Sequence, residues 1–340
     1  MKLSIKARVI SILSLSLSLV TTASSADSVR LGSKPLSRIV IPADTLFPEG
    51  IDYNPKSDRF VVSSFRQGAV YEVDHEGNYQ KIIHDSRLSS VLAVRIDSKN
   101  NRLLLANSDI GSSIRPYPDG PGKLAALGIY NLTSGAPIAY VDLGQLLPSS
   151  AHLANGIAVD HDGNAYVTDS FSPVIYKVDM DGTPSIFLKN DAFIGEGINL
   201  NGIVFHPDGY LIVVKKGEGV LYKIPIDTPE NFSKVDIDQK LVGGDGLILA
   251  NNHELIVVAN RASGKTIETA FSLSSYDNWR TAQITDQYRF DHVYPTTGVI
   301  QDGNIFVIHS RLNTLIMAPE PKKKNIHHHA VIQQIGTIDP

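Results

Sequence analysis

Four oxygen-bearing side chains, Glu49, Asn155, Asn201 and Asp245, each stand immediately before a glycine. Brought around one axis, two carboxylates and two carboxamides make a hard-oxygen cage of formal charge −2, with neither sulfur nor imidazole in it. That set suits Ca²⁺, which takes six to eight oxygen ligands and leaves room for water or substrate; Mg²⁺ could substitute, Mn²⁺ less well, and zinc is disfavoured. Asn-Gly and Asp-Gly are also ordinary turn dipeptides. What sets these four apart from turns is that they recur at equivalent places. A cation with open positions would polarise a carbonyl and stabilise the oxyanion that forms when water attacks it, which is the chemistry of lactone or ester hydrolysis. The attacking water needs a base. Asp245 lies beside the ion in this reading, and His309, in FVIHSRLN, carries an imidazole that titrates near neutral pH.

What must position these residues is a repeat. Residues 154–170, ANGIAVDHDGNAYVTDS, read as an opening residue, a glycine, a short apolar strand, a D-H-D-G-N turn, a second strand and an acid, the pattern of a tight hairpin. Versions of it open at Glu49, Leu92, Asn155, Asn201, Asp245 and Thr297, with intervals of 43, 63, 46, 44 and 52 residues. Third strands follow in AVYEVD, VIYKVD and VLYKIP, and a fourth in TPSIFL. Four short strands per unit and almost no helical pattern predict an all-β, six-bladed β-propeller of four-stranded antiparallel blades. Its ring would be closed by N- and C-terminal strands, residues 37–43 with residues 315–317 and 330–338, because an open ring would leave unpaired edges. Insertions at residues 108–123 and 261–269 would gather on one face, where the residues opening the six first strands also converge.

Other chemistry-bearing residues have plainer readings. His152 and His292 precede first strands, and Asp169 ends a strand, where an acid usually accepts backbone hydrogen bonds. Lys215, Lys216, Arg261 and Arg311 fall at equivalent strand ends; surface solvation is the simpler account, a positive rim for an anionic substrate the sharper one. No G-x-S-x-G, phosphate loop or HExxH occurs.

Composition sets the limits. The chain has 340 residues, 42% hydrophobic and 19% charged, with a net charge of −4. It is long enough for a sizeable core and offers no basic face for nucleic acid; the run Lys322, Lys323, Lys324 with His327 to His329 reads as a solvated loop. Lys2, Lys6 and Arg8, the apolar residues 9–20 and Ser24-Ser25-Ala26 make a secretory leader over residues 1–26. The mature protein, residues 27–340, is expected as a single exported domain, periplasmic or secreted, with no membrane association after cleavage near Ala26. It has no cysteine, so its stability must come from its core or a bound ion. A monomer acting on a small molecule is the expectation.

Pro48-Glu49-Gly50 followed by Asn-Gly and then Asp-Gly at unit openings resembles the calcium-dependent six-bladed propeller superfamily. That group includes the senescence marker protein, gluconolactonase and luciferin-regenerating-enzyme-like family, the paraoxonases, the diisopropylfluorophosphatase type and strictosidine synthase-like proteins. The resemblance covers residues 37–340 and implies calcium ligands at Glu49, Asn155, Asn201 and Asp245, with gluconolactonase-like or lactonase-like hydrolysis. Gluconolactonase relatives also hold sugar hydroxyls with an arginine and an asparagine, for which Arg115 and Asn107 are the loosely placed candidates. Two other functions fit the same fold: a non-enzymatic propeller with a structural Ca²⁺ that binds a protein or carbohydrate, and a strictosidine synthase-like lyase, which needs no metal.

Overall fold

The computed structural model describes residues 28–32, 36–260 and 268–339. The leader of residues 1–26 and Arg261 lie outside them. Five blades are complete four-stranded antiparallel sheets. Blade one is Ile51–Asn54, Arg59–Ser64, Ala69–Val73 and Tyr79–Ile83, and blade two opens with Ser90–Asp97 and Arg102–Ser108. Blades three, four and five open with Ala154–Val159, Leu200–His206 and Gly244–Asn251. Blade six runs Pro295–Gln301, Asn304–His309 and Ala330–Asp339. Its outer edge is N-terminal: Arg38–Ile41 pairs with the first half of Ala330–Asp339 and Ser28–Leu31 with the second. Each first strand touches the first strand of the next blade, and blade six touches blade one, so the ring closes. Residues 315–317, expected as strand, instead end in the short helix Leu312–Ile316, which follows Arg311 in the left-handed region at φ 50°. No helix among the described residues is long and apolar enough to cross a membrane.

Strand order within a blade follows from composition. Second strands such as RLLLANS and ELIVVA are buried along their whole length, because neighbouring blades cover both faces. Fourth strands such as QITDQYR alternate between exposed and half-buried residues, as an outer edge must. Six apolar clusters fill the six blade-to-blade interfaces; one joins Phe60 and Val62 of blade one to Phe306 and Ile308 of blade six. A seventh, with Phe47, Phe65, Leu92, Leu153, Leu312 and Leu315, lies across one mouth of the central channel. The hairpin turns are held by an aspartate: Asp160 Oδ1 accepts from the N–H groups of Asp162 at 3.0 Å and Asn164 at 2.9 Å, with Gly163 at φ 85°.

The glycines after the opening residues have a different job. The ladder shifts register between Ala154 and Ile157, Leu200 and Ile203, Gly244 and Leu247, and Pro295 and Gly298, a bulge at the same place in each of these four blades. A Cβ on Gly50 would stand 2.6 Å from the Leu92 carbonyl oxygen, and one on Gly156 would stand 2.5 Å from that of Asn201; Gly202 and Gly246 are tighter still. In every case the obstacle belongs to the next blade, and none of the four has a positive φ. The repeated glycine is thus the point where blades approach at the axis. Gly156→Ala is expected to cost about 1–3 kcal/mol by overpacking and to lower the melting temperature by several degrees. Gly217→Ala, where the nearest atom would be 3.5 Å away, serves as the neutral control; equal melting temperatures for the two variants would contradict the account.

Candidate functional site

The ladders align the blades residue by residue. Ile51 faces Val62, Val94 faces Leu105, Ile157 faces Val167, Ile203 faces Val213, Leu247 faces Val257 and Gly298 faces Val307. Two residues before each first member come Glu49, Leu92, Asn155, Asn201, Asp245 and Thr296. The sixth opening residue is therefore Thr296 and not Thr297, because blade six carries its glycine one position later. Three residues after each second member come Phe65, Ser108, Ser170, Lys216, Asn260 and Ser310. These two rings face each other at one mouth of the channel.

All four expected oxygen residues line one cavity of about 40 Å³, together with Lys216 and Thr296. Its roof is apolar, built from Phe65, Leu92, Ile110, Leu153, Leu312 and Ile316 among others. Below it the channel passes the same Glu49, Asn155, Asn201 and Thr296, and at the far face it opens into a basin of about 490 Å³ bordered by Arg95, Lys99 and His161. Three members of the second ring fasten their blade to the next: Ser108 Oγ donates to the Ala154 carbonyl at 3.2 Å, Ser170 Oγ to Leu200 at 2.5 Å and Asn260 Nδ2 to Pro295 at 2.8 Å.

Lysine changes the electrostatics of the cage. Lys216 Nζ lies 2.9 Å from Asp245 Oδ2 and donates to Asn260 Oδ1 at 2.5 Å, while Asn260 Nδ2 also donates to Asp245 Oδ2. All three side chains are buried. Asn155 gives one N–H to Ser170 Oγ at 3.0 Å, which leaves its oxygen without a protein donor among the described residues. The Asn201 amide and the Glu49 carboxylate have no side-chain hydrogen bond at all among them. Glu49 touches the channel lumen but is otherwise walled in; that enclosure, with Asp245 nearby, holds its carboxyl well above the usual range, and Lys216 only partly offsets the rise.

His309 does not join the cavity. Ser310 holds the ring position, and His309 turns to the other face, buried edge-on against Phe290 at 5.7 Å with Nε2 unpartnered. Burial first, and then Arg38 and Arg311, lower its pKa to about 4, so it is neutral at physiological pH. Arg115 is committed to the carbonyls of Gln67, Gly68 and Asp85. Asn107 is committed to Ser89, Arg87 and Tyr140. Neither reaches the cavity, so no sugar-hydroxyl pair is formed there. Lys215 is held by Ala192, Ile194 and Glu218; Arg311 and His292 are exposed at the surface. Sequence reading passed over Asn260, whose signal was its place at the end of LIVVAN, level with Lys216 at the end of LIVVKK.

No protein-family profile matches the chain, and no curated protein matches it in sequence. Its shape is similar to that of Mala s 1, an allergen of Malassezia sympodialis, with a TM-score of 0.68, 18% identity and coverage of 87% of this chain and 95% of that one. Regucalcin, a calcium-binding protein of Agrobacterium tumefaciens, gives 0.61, 14%, 90% and 96%. A protein assigned as a gluconolactonase gives 0.57, 12%, 91% and 96%. These likenesses are of fold alone.

The residues present do not fit a divalent ion while Lys216 is in place. An ion on Asp245 Oδ2 would lie within about 5 Å of Nζ, given the 2.9 Å contact and a calcium–oxygen distance of about 2.4 Å. At an effective dielectric of 20 the ammonium would repel it by on the order of 7 kcal/mol. Two carboxylates and one ammonium leave a formal net charge of −1 for a dication, half of what the four oxygen residues would offer alone.

His152 and Asp169 form a separate buried pair that ties blade three together. His152 Nδ1 meets Asp169 Oδ2 at 2.8 Å and Nε2 meets the Leu147 carbonyl at 3.1 Å; both partners are acceptors, so the protonated ring can donate to both. Asp169 Oδ1 also accepts from the N–H groups of Leu153, Phe171 and Ser172. Burial pulls the His152 pKa down, but Asp169 outweighs it and the net direction is up from 6.5. Stability from this pair is complete below pH 6.5 and is lost as pH rises through the raised value. Melting temperature should therefore fall across that window in the native chain and be lower and flatter in Asp169→Asn; a native profile with no such fall would contradict the assignment.

Proposed function

We propose that the axial mouth binds a small carbonyl compound, a lactone or related ester, and hydrolyses it without a bound metal. The observation that carries this reading is a carboxylate and an amide, Glu49 and Asn201, with no side-chain partner, enclosed beside an ammonium under an apolar roof. Polar groups that face a lumen with no protein partner are free to bond a ligand that enters it. Lys216 has two acceptors, Asp245 and Asn260, and keeps a third N–H for a ligand oxygen. That N–H and the Asn201 amide donate to the carbonyl oxygen and hold the negative charge that develops on it. Glu49 takes the proton from the attacking water and returns it to the leaving oxygen. Asp245, expected as a base from sequence, instead orients Lys216. A protein assigned as a gluconolactonase has the same fold, and that likeness supports a lactone as the substrate class. On the strength of residues 1–26, the reaction takes place outside the cytoplasm, in the periplasm or beyond, and the substrate is met there by a monomer.

The cavity is too small for a substrate as it stands, so the roof must give way. Ile316 and Met317 at the end of the Leu312–Ile316 helix are exposed at 38% and 80%, which marks this segment as the thin side. The closed roof equally favours a propeller that only binds its ligand, and one experiment separates the two. A panel of aldonolactones, homoserine lactones and aryl esters, assayed with chelator present, should include at least one that is hydrolysed. On that substrate Glu49→Gln should lose about 10²- to 10⁴-fold in rate while melting no lower than the native protein, since it removes an enclosed charge with no donor. Absence of turnover across the panel leaves the binding propeller, and full activity in Glu49→Gln removes Glu49 from the mechanism.

A further inference from the structure

Around the second ring, five blades carry uncharged residues, Phe65, Ser108, Ser170, Asn260 and Ser310. Blade four alone places a long cation there, and its backbone is clamped. The Lys216 N–H donates to the Asn199 carbonyl at 2.9 Å, and its carbonyl accepts from the Gly243 N–H at 3.0 Å. Gly243 sits at φ 89°, pressed so closely on Asn260 that no side chain would fit. The stem of Lys216 therefore leaves a fixed point and delivers its ammonium to Asp245 and Asn260, both of blade five, with only 4% of the residue exposed. Asp245 Oδ2 is thus saturated by Nζ and by the Asn260 amide, while Glu49 and Asn201 stay open.

We propose that Lys216 is the resident cation of the axial cage. The folded protein then needs no divalent ion, and the four oxygen residues Glu49, Asn155, Asn201 and Asp245 become a divalent-cation site only when that ammonium is removed. Replacing the lysine with a neutral residue leaves two carboxylates facing one cavity without a counter-charge and vacates the space that Nζ fills. Six or more oxygen ligands are then within reach from bidentate carboxylates, two amides and water, which is the number a calcium ion takes. The inference concerns binding and folding, and it stands whether or not the site hydrolyses anything.

The test is calcium titration of the full mature chain, followed by calorimetry and by melting temperature, for the native protein, Lys216→Ala and Lys216→Met. The native protein should show no saturable heat and no shift in melting temperature with Ca²⁺ or chelator. Lys216→Ala should melt lower than native in chelator and recover by several degrees with Ca²⁺, through linkage of binding to folding. Adding Glu49→Gln to that variant should abolish the recovery, which separates the cage from adventitious surface binding. Lys216→Met keeps the apolar stem and should behave likewise if the alanine variant folds poorly. Saturable Ca²⁺ binding by the native protein that is lost in Glu49→Gln overturns the proposal, as does a folded Lys216 variant that gains no Ca²⁺ binding. If neither variant folds with or without calcium, the native titration decides alone: binding at the cage refutes, and its absence supports.

Discussion

The ring depends on how closely six blades can meet at one axis. In blades one, three, four and five the first strand enters the channel through a glycine, and the following blade lies against it at a distance that admits a hydrogen atom and nothing larger. Side-chain hydroxyls complete the joint: Thr168 Oγ1 donates to the Asn201 carbonyl at 2.7 Å and accepts from the Gly156 N–H at 2.9 Å, and Ser63 stands between Gly50 and Leu92 in the same way. This contact sets the bore of the channel and directs the residue before each glycine toward the axis. The cage is a by-product of ring closure. Any polar residue at that position is forced into the company of its equivalents.

Forced company is costly when two of the residues are carboxylates. Glu49 and Asp245 share an enclosed cavity, and their mutual repulsion adds to the desolvation that burial imposes. A counter-ion from solution is one remedy, and a counter-charge built into the chain is another. Lys216 is the second kind: it reaches from blade four to blade five and draws Asn260 into a closed triangle with Asp245. The Glu49 carboxylate is left with attraction from that ammonium but no hydrogen bond among the described residues. A carboxylate so placed is a burden to the fold and an asset to a site, and this asymmetry between Glu49 and Asp245 gives the cage its chemical direction.

Much of this was legible in sequence. The period of the repeat announced six blades, and the register of Glu49, Asn155, Asn201 and Asp245 announced their convergence, because both depend on local patterns that recur. What escaped depends on single-residue shifts or on distant partners. His309 and Ser310 differ by one place on a strand, and one place exchanges the cavity for the opposite face. Thr297 was misaligned with Thr296 because blade six moves its glycine to position 298. Lys216 resembled a solvated strand end until the fold brought Asp245 and Asn260 to it from the next blade, and nothing near residue 216 foretells them. The outer strand Ser28–Leu31 was too short, and too close to the leader, to be read as part of blade six.

The central claim is that the axial cage is closed by the chain's own ammonium. A crystal structure of the mature protein grown in calcium chloride and solved at a resolution that separates an ion from water tests it most directly. Lys216 Nζ should lie within hydrogen-bonding distance of Asp245 and Asn260, with no ion between Asp245 and Glu49. Density for a cation about 2.4 Å from oxygens of both carboxylates, with the Lys216 side chain turned away, would contradict it.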